Sequence, residues 1–146
     1  MTSTIHTPLK RWLITLGAKQ EVSWYRSLSG DKEPLTVQIG KRIITFQPDV
    51  IWERAGSTII FDLALNDGLR SIVGEITLAA LSRKVAKVLI VTDYEDKKIS
   101  TAVSMLSTLY ERSKELKWGA DHISVKNLSD AKKKIYTYLN KGDWVW

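Results

Sequence analysis

The stretch from Phe46 to Leu65, FQPDVIWERAGSTIIFDLAL, constrains the chain more than any other. Two apolar runs flank Ala55-Gly56, and a glycine there supplies the positive φ that a tight hairpin turn often needs. If Arg54 and Ser57 close a two-residue loop, Asp49 lies directly opposite Asp62. Alternation then puts Gln47, Asp49, Asp62 and Ala64 on one face of the hairpin. Opposed carboxylates repel, and both stay ionised at low cost only with a cation or a donor between them. Acidic oxygens so placed suit Mg²⁺ (or Mn²⁺), with water and phosphate completing its shell. The matching chemistry is phosphodiester hydrolysis. The plainer alternative has Asp49 ending a turn and Asp62 at a wet strand end. A one-residue slip in register would send one acid to the other face.

A chain of 146 residues is long enough for one domain with its own core. It has no cysteine, which excludes disulfides and thiolate zinc sites and fits a reducing, cytoplasmic setting. No basic-then-apolar leader opens the sequence, and no apolar run reaches bilayer length, so no membrane partner is expected. Lys and Arg total 22 against 16 acids, for a net charge of +6. That balance favours polyanions, DNA among them, through phosphate neutralisation and counterion release.

In chain order, Thr7-Pro8 opens a first helix, with Thr7 as N-cap and Pro8 in the first turn. Leu9, Trp12, Leu13 and Leu16 form its apolar stripe, Lys10, Arg11 and Lys19 lie off it, and Gly17 stops it. His6 precedes this helix as a surface histidine. Glu21 to Ser29 and Leu35 to Ile39 alternate as strands. Lys41-Arg42 falls at a turn tip, open to solvent or to a phosphate, and Ile43 to Phe46 leads into the hairpin. A second helix is expected from Leu69 to Arg83, with Leu69, Ile72, Val73, Ile76 and Ala80 buried. Arg70 and Glu75 lie off that stripe, and Gly74 marks close packing on the sheet. Arg70, in the first turn, is a surface arginine or reaches the acid pair or a phosphate.

Val88-Leu89-Ile90-Val91 reads as a strand buried on both faces. A long helix from Lys97 to Lys117 follows Asp93, Glu95 and Asp96, with Ile99, Val103, Leu106 and Tyr110 as its stripe and Gly119 closing it. His122 to Val125 is a short strand. Ser129 caps a last helix carrying Lys132, Lys133 and Lys134. Trp144 and Trp146 at the end cap the core, bury against a second subunit of a homodimer, or stack on bases. There is no Walker loop, no dinucleotide glycine motif and no defensible Ser/His/Asp grouping.

The α/β order from Leu9 to Val91 resembles the PD-(D/E)xK, or restriction-endonuclease-like, nuclease superfamily. Pro48-Asp49 matches the start of its motif, and Asp62-Leu63-Ala64 occupies the acid-x-Lys position. The resemblance implies a mixed sheet in αβββαβ order, here followed by a C-terminal helix, strand and helix. It implies Asp49 and Asp62 as metal ligands, joined by the backbone carbonyl of Leu63. Ala64 stands where the family's lysine belongs. No glutamate lies within the first helix, so Glu21 is the candidate substitute. Gln47 can orient a water, and Lys41, Arg42 or Arg70 can supply positive charge and contact nucleic acid. These departures are compatible with a migrated site, a fold member without catalysis, or an engineered variant.

Three functions follow as expectations. The first is a metal-dependent DNA endonuclease or nuclease-like DNA-processing hydrolase, as a homodimer. The second is a catalytically inactive nucleic-acid-binding or assembly protein on the same fold. The third is an unrelated α/β enzyme anchored at Asp93, after a buried strand.

Overall fold

A computed structural model describes residues 5–19, 24–25, 35–46, 48–54, 57–65, 68–82, 85–94, 96–113 and 118–139. Glu21, Gln47, Glu95 and the Trp144 and Trp146 tail lie outside them. The elements are α1 (His6–Lys19), β1 (Trp24–Tyr25), β2 (Leu35–Ile39), β3 (Arg42–Phe46), β4 (Val50–Arg54) and β5 (Ser57–Leu63). Then come α2 (Leu69–Leu81), β6 (Val85–Thr92), α3 (Lys97–Ser113), β7 (Gly119–Ser124) and α4 (Leu128–Leu139).

The protein is α/β. A mixed sheet runs β4-β5-β6-β7, with the two-residue β1 added beside β4. β4 is antiparallel to β1 and β5, while β6 and β7 run parallel to β5. The hairpin register is the one that the sequence implies: Val50 pairs with Phe61 and Arg54 with Ser57. β2 and β3 form a separate two-stranded ribbon. Among the described residues, no helix is long and apolar enough to cross a membrane.

Strand alternation divides the interior in two. Val50, Trp52, Phe61, Leu63, Leu89 and Val91 face α1 and α4, meeting Leu9, Leu13 and Ile135. Ile60, Ala64, Val88 and Ile90 face α2 and α3, meeting Ile72, Ile76, Ile99 and Val103. β6 thus feeds both cores, which explains its unbroken apolar run.

Several local expectations need correction. α1 begins at His6, so Thr7 and Pro8 lie in its first turn and Thr7 is not the cap. The helix runs through Gly17 to Lys19. A Cβ on Gly17 would lie 2.7 Å from Trp52 Nε1, so this glycine admits an indole rather than ending a helix. That indole donates a hydrogen bond to the Leu13 carbonyl at 3.2 Å. Gly74 is exposed with open space around it, so it marks no close approach to the sheet. Leu69 is exposed rather than buried, and α2 ends at Leu81. Gly119 starts β7 instead of closing α3. At α4 the cap is Asn127, whose side chain accepts from the Asp130 N–H at 2.8 Å; Ser129 lies inside the helix.

Candidate functional site

The antiparallel β4–β5 pair brings Asp49 and Asp62 to one end of the sheet, because the pairing one step inward is Val50 with Phe61. The carboxyl ends of β5, β6 and β7 lie at that same end, since those strands are parallel. α1 begins nearby: His6, in its first turn, reaches Asp49.

Asp62 is held by the regular part of β5. Its neighbours Phe61 and Leu63 face α1, so its own side chain faces the α2 layer with Ile60 and Ala64. It is 4% exposed, and its Oδ2 is buried with no hydrogen-bond partner. An unpaired buried carboxylate oxygen costs about 1–3 kcal/mol or more.

Asp49 occupies the bend just before β4. Pro48 has no N–H to give the ladder, and the Asp49 side chain takes over part of the strand's end. Its Oδ2 accepts the Leu63 N–H at 2.9 Å, and its Oδ1 lies 3.1 Å from His6 Nε2. His6 is therefore a half-buried partner of an acid rather than a free surface histidine. Both Asp49 oxygens are already bonded within the protein, whereas Asp62 Oδ2 is not. Leu63 enters this cluster through its N–H.

The residue that the sequence reading passed over is Glu75. It lies in the middle of α2, half-buried, with Oε2 buried and unpartnered, and near enough to Asp49 to feel its charge. Burial pushes its carboxyl up to about 7, and the negative charge of Asp49 adds to the rise. A cue was present: Glu75 is three residues after Ile72 and four before Ala79, both buried, so it belongs to the inward stripe. Lys10 lies off the apolar stripe of α1, yet it is 7% exposed. It lies one turn after His6, on the same side of α1.

The other candidates fall at varied distances from this cluster. Arg70 is exposed in the first turn of α2, at the end of the sheet that carries the acids. Lys41 is in the β2–β3 turn and Arg42 is the first residue of β3, both exposed. Ala64 is fully buried in the α2-side core. Asp93 is half-buried in the bend that follows β6.

The fit to a divalent cation can be judged from the oxygens alone. Among the described residues, no three His, Cys, Asp or Glu side chains form a preassembled cage. Two acids on one side of the sheet, Asp62 and Glu75, nevertheless each carry a buried oxygen without a partner. Mg²⁺ asks for little more, since it commonly binds through one or two carboxylates and keeps water and substrate phosphate for the rest. In donor type, two such carboxylate oxygens match what a hard divalent cation takes. A carboxyl that titrates near neutral pH can also accept a proton from water, which Ala64 cannot do.

A second polar chain lies at the same end of the sheet. Thr92 Oγ1 donates to the Tyr94 carbonyl at 2.8 Å, so it accepts at its 2.7 Å contact with His122 Nε2. His122 therefore carries its proton on Nε2, and Nδ1 accepts from Ser100 at 2.8 Å. Burial lowers the His122 pKa, and Asp96 partly opposes that.

Comparison with family models, curated proteins and solved structures found no match to this chain.

Proposed function

We propose that the chain is a divalent-cation-dependent DNA-cleaving domain of restriction-endonuclease-like architecture, whose acid site is built from Asp62, Glu75 and Asp49. The observation that carries the reading is the pair of buried, unpartnered carboxylate oxygens on Asp62 and Glu75. Support for the architecture comes from element order. A helix precedes the antiparallel strands β1, β4 and β5, and α2 then leads to β6, parallel to β5.

Asp62 and Glu75 would hold Mg²⁺ or Mn²⁺, with the Leu63 carbonyl as a further candidate ligand. When bound, such an ion polarises a phosphodiester and makes its bound water more acidic. Glu75 has the proton affinity to take up a water proton near neutral pH, in the role that the family gives a lysine. Asp49 adds negative charge beside Glu75 and is held in place by the Leu63 N–H and His6. Lys10, on the His6 side of α1, brings a cation to the layer opposite α2. Arg70, Lys41 and Arg42 bind DNA phosphates.

The test is incubation of supercoiled plasmid with Mg²⁺ or Mn²⁺. Wild-type protein is expected to nick or linearise it, and Asp62→Asn and Glu75→Gln are each expected to slow this by about 10²-fold or more. Cleavage unaffected by both substitutions would end the assignment. One observation favours a second reading, a nucleic-acid-binding or assembly protein without catalysis: Ala64 is fully buried where the family carries its lysine. That reading predicts DNA retention with steep salt dependence and no cleavage with either metal.

A further inference from the structure

Among the described residues, the β2–β3 ribbon contributes to neither of the two buried clusters, although Val37 in the middle of β2 is itself buried. Its residues 35–46 include Lys41 and Arg42 and no acid. Ile39 pairs with Arg42 around the two-residue turn Gly40-Lys41, and Gly40 has φ 61°, the left-handed conformation that such a turn takes up most easily with glycine. Gln38 Nε2 donates to the Gly40 carbonyl at 3.4 Å, tying the turn to its own strand. The tip is therefore a defined hairpin end. Near it, Ile43 is 70% exposed and Ile39 44%. Alternation puts Ile39 with Arg42 on one face and Ile43 with Gln38 on the other, so an exposed isoleucine lies on each side of the cationic tip, and no acid lies on either strand to repel a polyanion.

We infer that the ribbon is a DNA-reading arm that lies in the major groove of a duplex, with Lys41 and Arg42 on phosphates and Ile43 against base edges. This rests on the DNA-cleaving reading above and names the surface that holds its substrate. A two-stranded ribbon is among the elements that the major groove, about 12 Å wide, admits; the minor groove, about 6 Å wide, would have to be forced open. A five-residue strand spans about 17 Å, enough for the tip to enter a groove while the root stays outside. The root is placed for cleavage: Phe46 ends β3 and only Gln47 and Pro48 separate it from Asp49. The arm would thus fix a duplex beside the acids. Apolar contact in the groove is made with the thymine methyl, so Ile43 would favour A·T-containing sites without demanding one sequence.

The test uses the full chain and a labelled 30-base-pair duplex of mixed sequence, with affinity read by anisotropy across a salt series in Ca²⁺. The double variant Lys41→Ala/Arg42→Ala is expected to lose about 10-fold or more in affinity, and its log–log salt slope to fall by about two phosphate equivalents. Ile43→Ser is expected to lose several-fold in affinity with an unchanged slope. Methyl green, a major-groove ligand, should compete with the protein, and netropsin, a minor-groove ligand, should not. All substituted side chains are exposed, and thermal melting confirms that each variant is folded. If wild type and both variants bind equally, the arm is not the contact, although the DNA reading survives. If wild type binds no duplex, both fall. If Ile43→Ser instead weakens self-association in sedimentation and leaves DNA affinity alone, the apolar tip meets a second copy of this chain, and the inference is overturned. Competition by netropsin alone would overturn the groove assignment.

Discussion

Glu75 carries the sharpest consequences at the scale of single residues. Its carboxyl titrates near 7 in the folded protein against an ordinary 4.5. A folded-state pKa above the unfolded one means that the native state binds its proton more tightly. The associated stability is fully present below about pH 4.5 and is lost as pH rises through 7. Glu75→Gln keeps the shape and cannot ionise, so it is expected to melt progressively above wild type between pH 5 and pH 8, without added divalent ion. Equal pH dependence of the two melting temperatures would remove the buried-acid account. Two glycines make an opposed pair. Gly74 is exposed in a helix interior with open space around it, so Gly74→Ala is expected to stabilise by about 0.5–1 kcal/mol. Gly17 faces an indole that is fixed by the Leu13 carbonyl and by edge contact with Phe61, whose ring centroid is 4.7 Å away. Gly17→Ala is expected to destabilise by about 1–3 kcal/mol in urea denaturation, despite alanine's better helix propensity.

Among the elements, the β4–β5 hairpin was legible in sequence because a tight turn and two apolar strands fix register together. β6 was legible because burial on both faces leaves no polar position. Helix ends were less so: Thr7, Gly17, Gly119 and Ser129 all carry residue types that punctuate helices, but here packing or a neighbouring Asn127 decides. The separate ribbon was hidden by the near-continuity of Ile43–Phe46 with the hairpin, broken only around Pro48. Glu75 was missed because polarity alone placed it outside the stripe, although its spacing to Ile72 and Ala79 puts it inside. Ala64 shows what that costs a motif-based argument. A lysine restored there would have to enter the core beside Ile60 and Ile72. Ala64→Lys is therefore expected to destabilise by about 1–3 kcal/mol and to add no plasmid cleavage. Faster cutting by that variant would mean that the lysine position works as in the family and that Glu75 does not replace it. The His122 chain joins α3 to β6 and β7 through Ser100 and Thr92. Its lowered pKa gives stability that is present above about 6.5 and is lost as pH falls through the lower folded value. His122→Gln should flatten the melting curve of the protein against pH below 6.5.

For the whole molecule, the decisive property is that two separate cores leave one end of the sheet polar. α1 and α4 fill one face and α2 and α3 the other. Asp49 lies just before β4 and Asp62 one residue from the end of β5, while Glu75 comes from α2 at the margin of the apolar layer that holds Ile60, Ala64 and Ile72. Among the described residues, Asp62 and Glu75 each keep one buried oxygen without a hydrogen-bond partner, so acidic charge gathers here although the chain as a whole is +6. An ion that binds this charge in the folded state alone must raise stability by mass action, by about 2.7 kcal/mol at a hundred times its dissociation constant. Binding competes with the proton on Glu75, which fixes the sign of the pH effect. Mg²⁺ or Mn²⁺ is expected to raise the melting temperature strongly at pH 8 and weakly at pH 5.5. Asp62→Asn replaces an acid whose buried Oδ2 has no partner, so its metal-free form is expected to melt at or above wild type, and its response to the ion should vanish. Glu75→Gln should respond weakly at both pH values. A wild-type shift equal at pH 5.5 and pH 8, or one retained in Asp62→Asn, would place the ion elsewhere on the surface and leave the buried oxygens without a ligand.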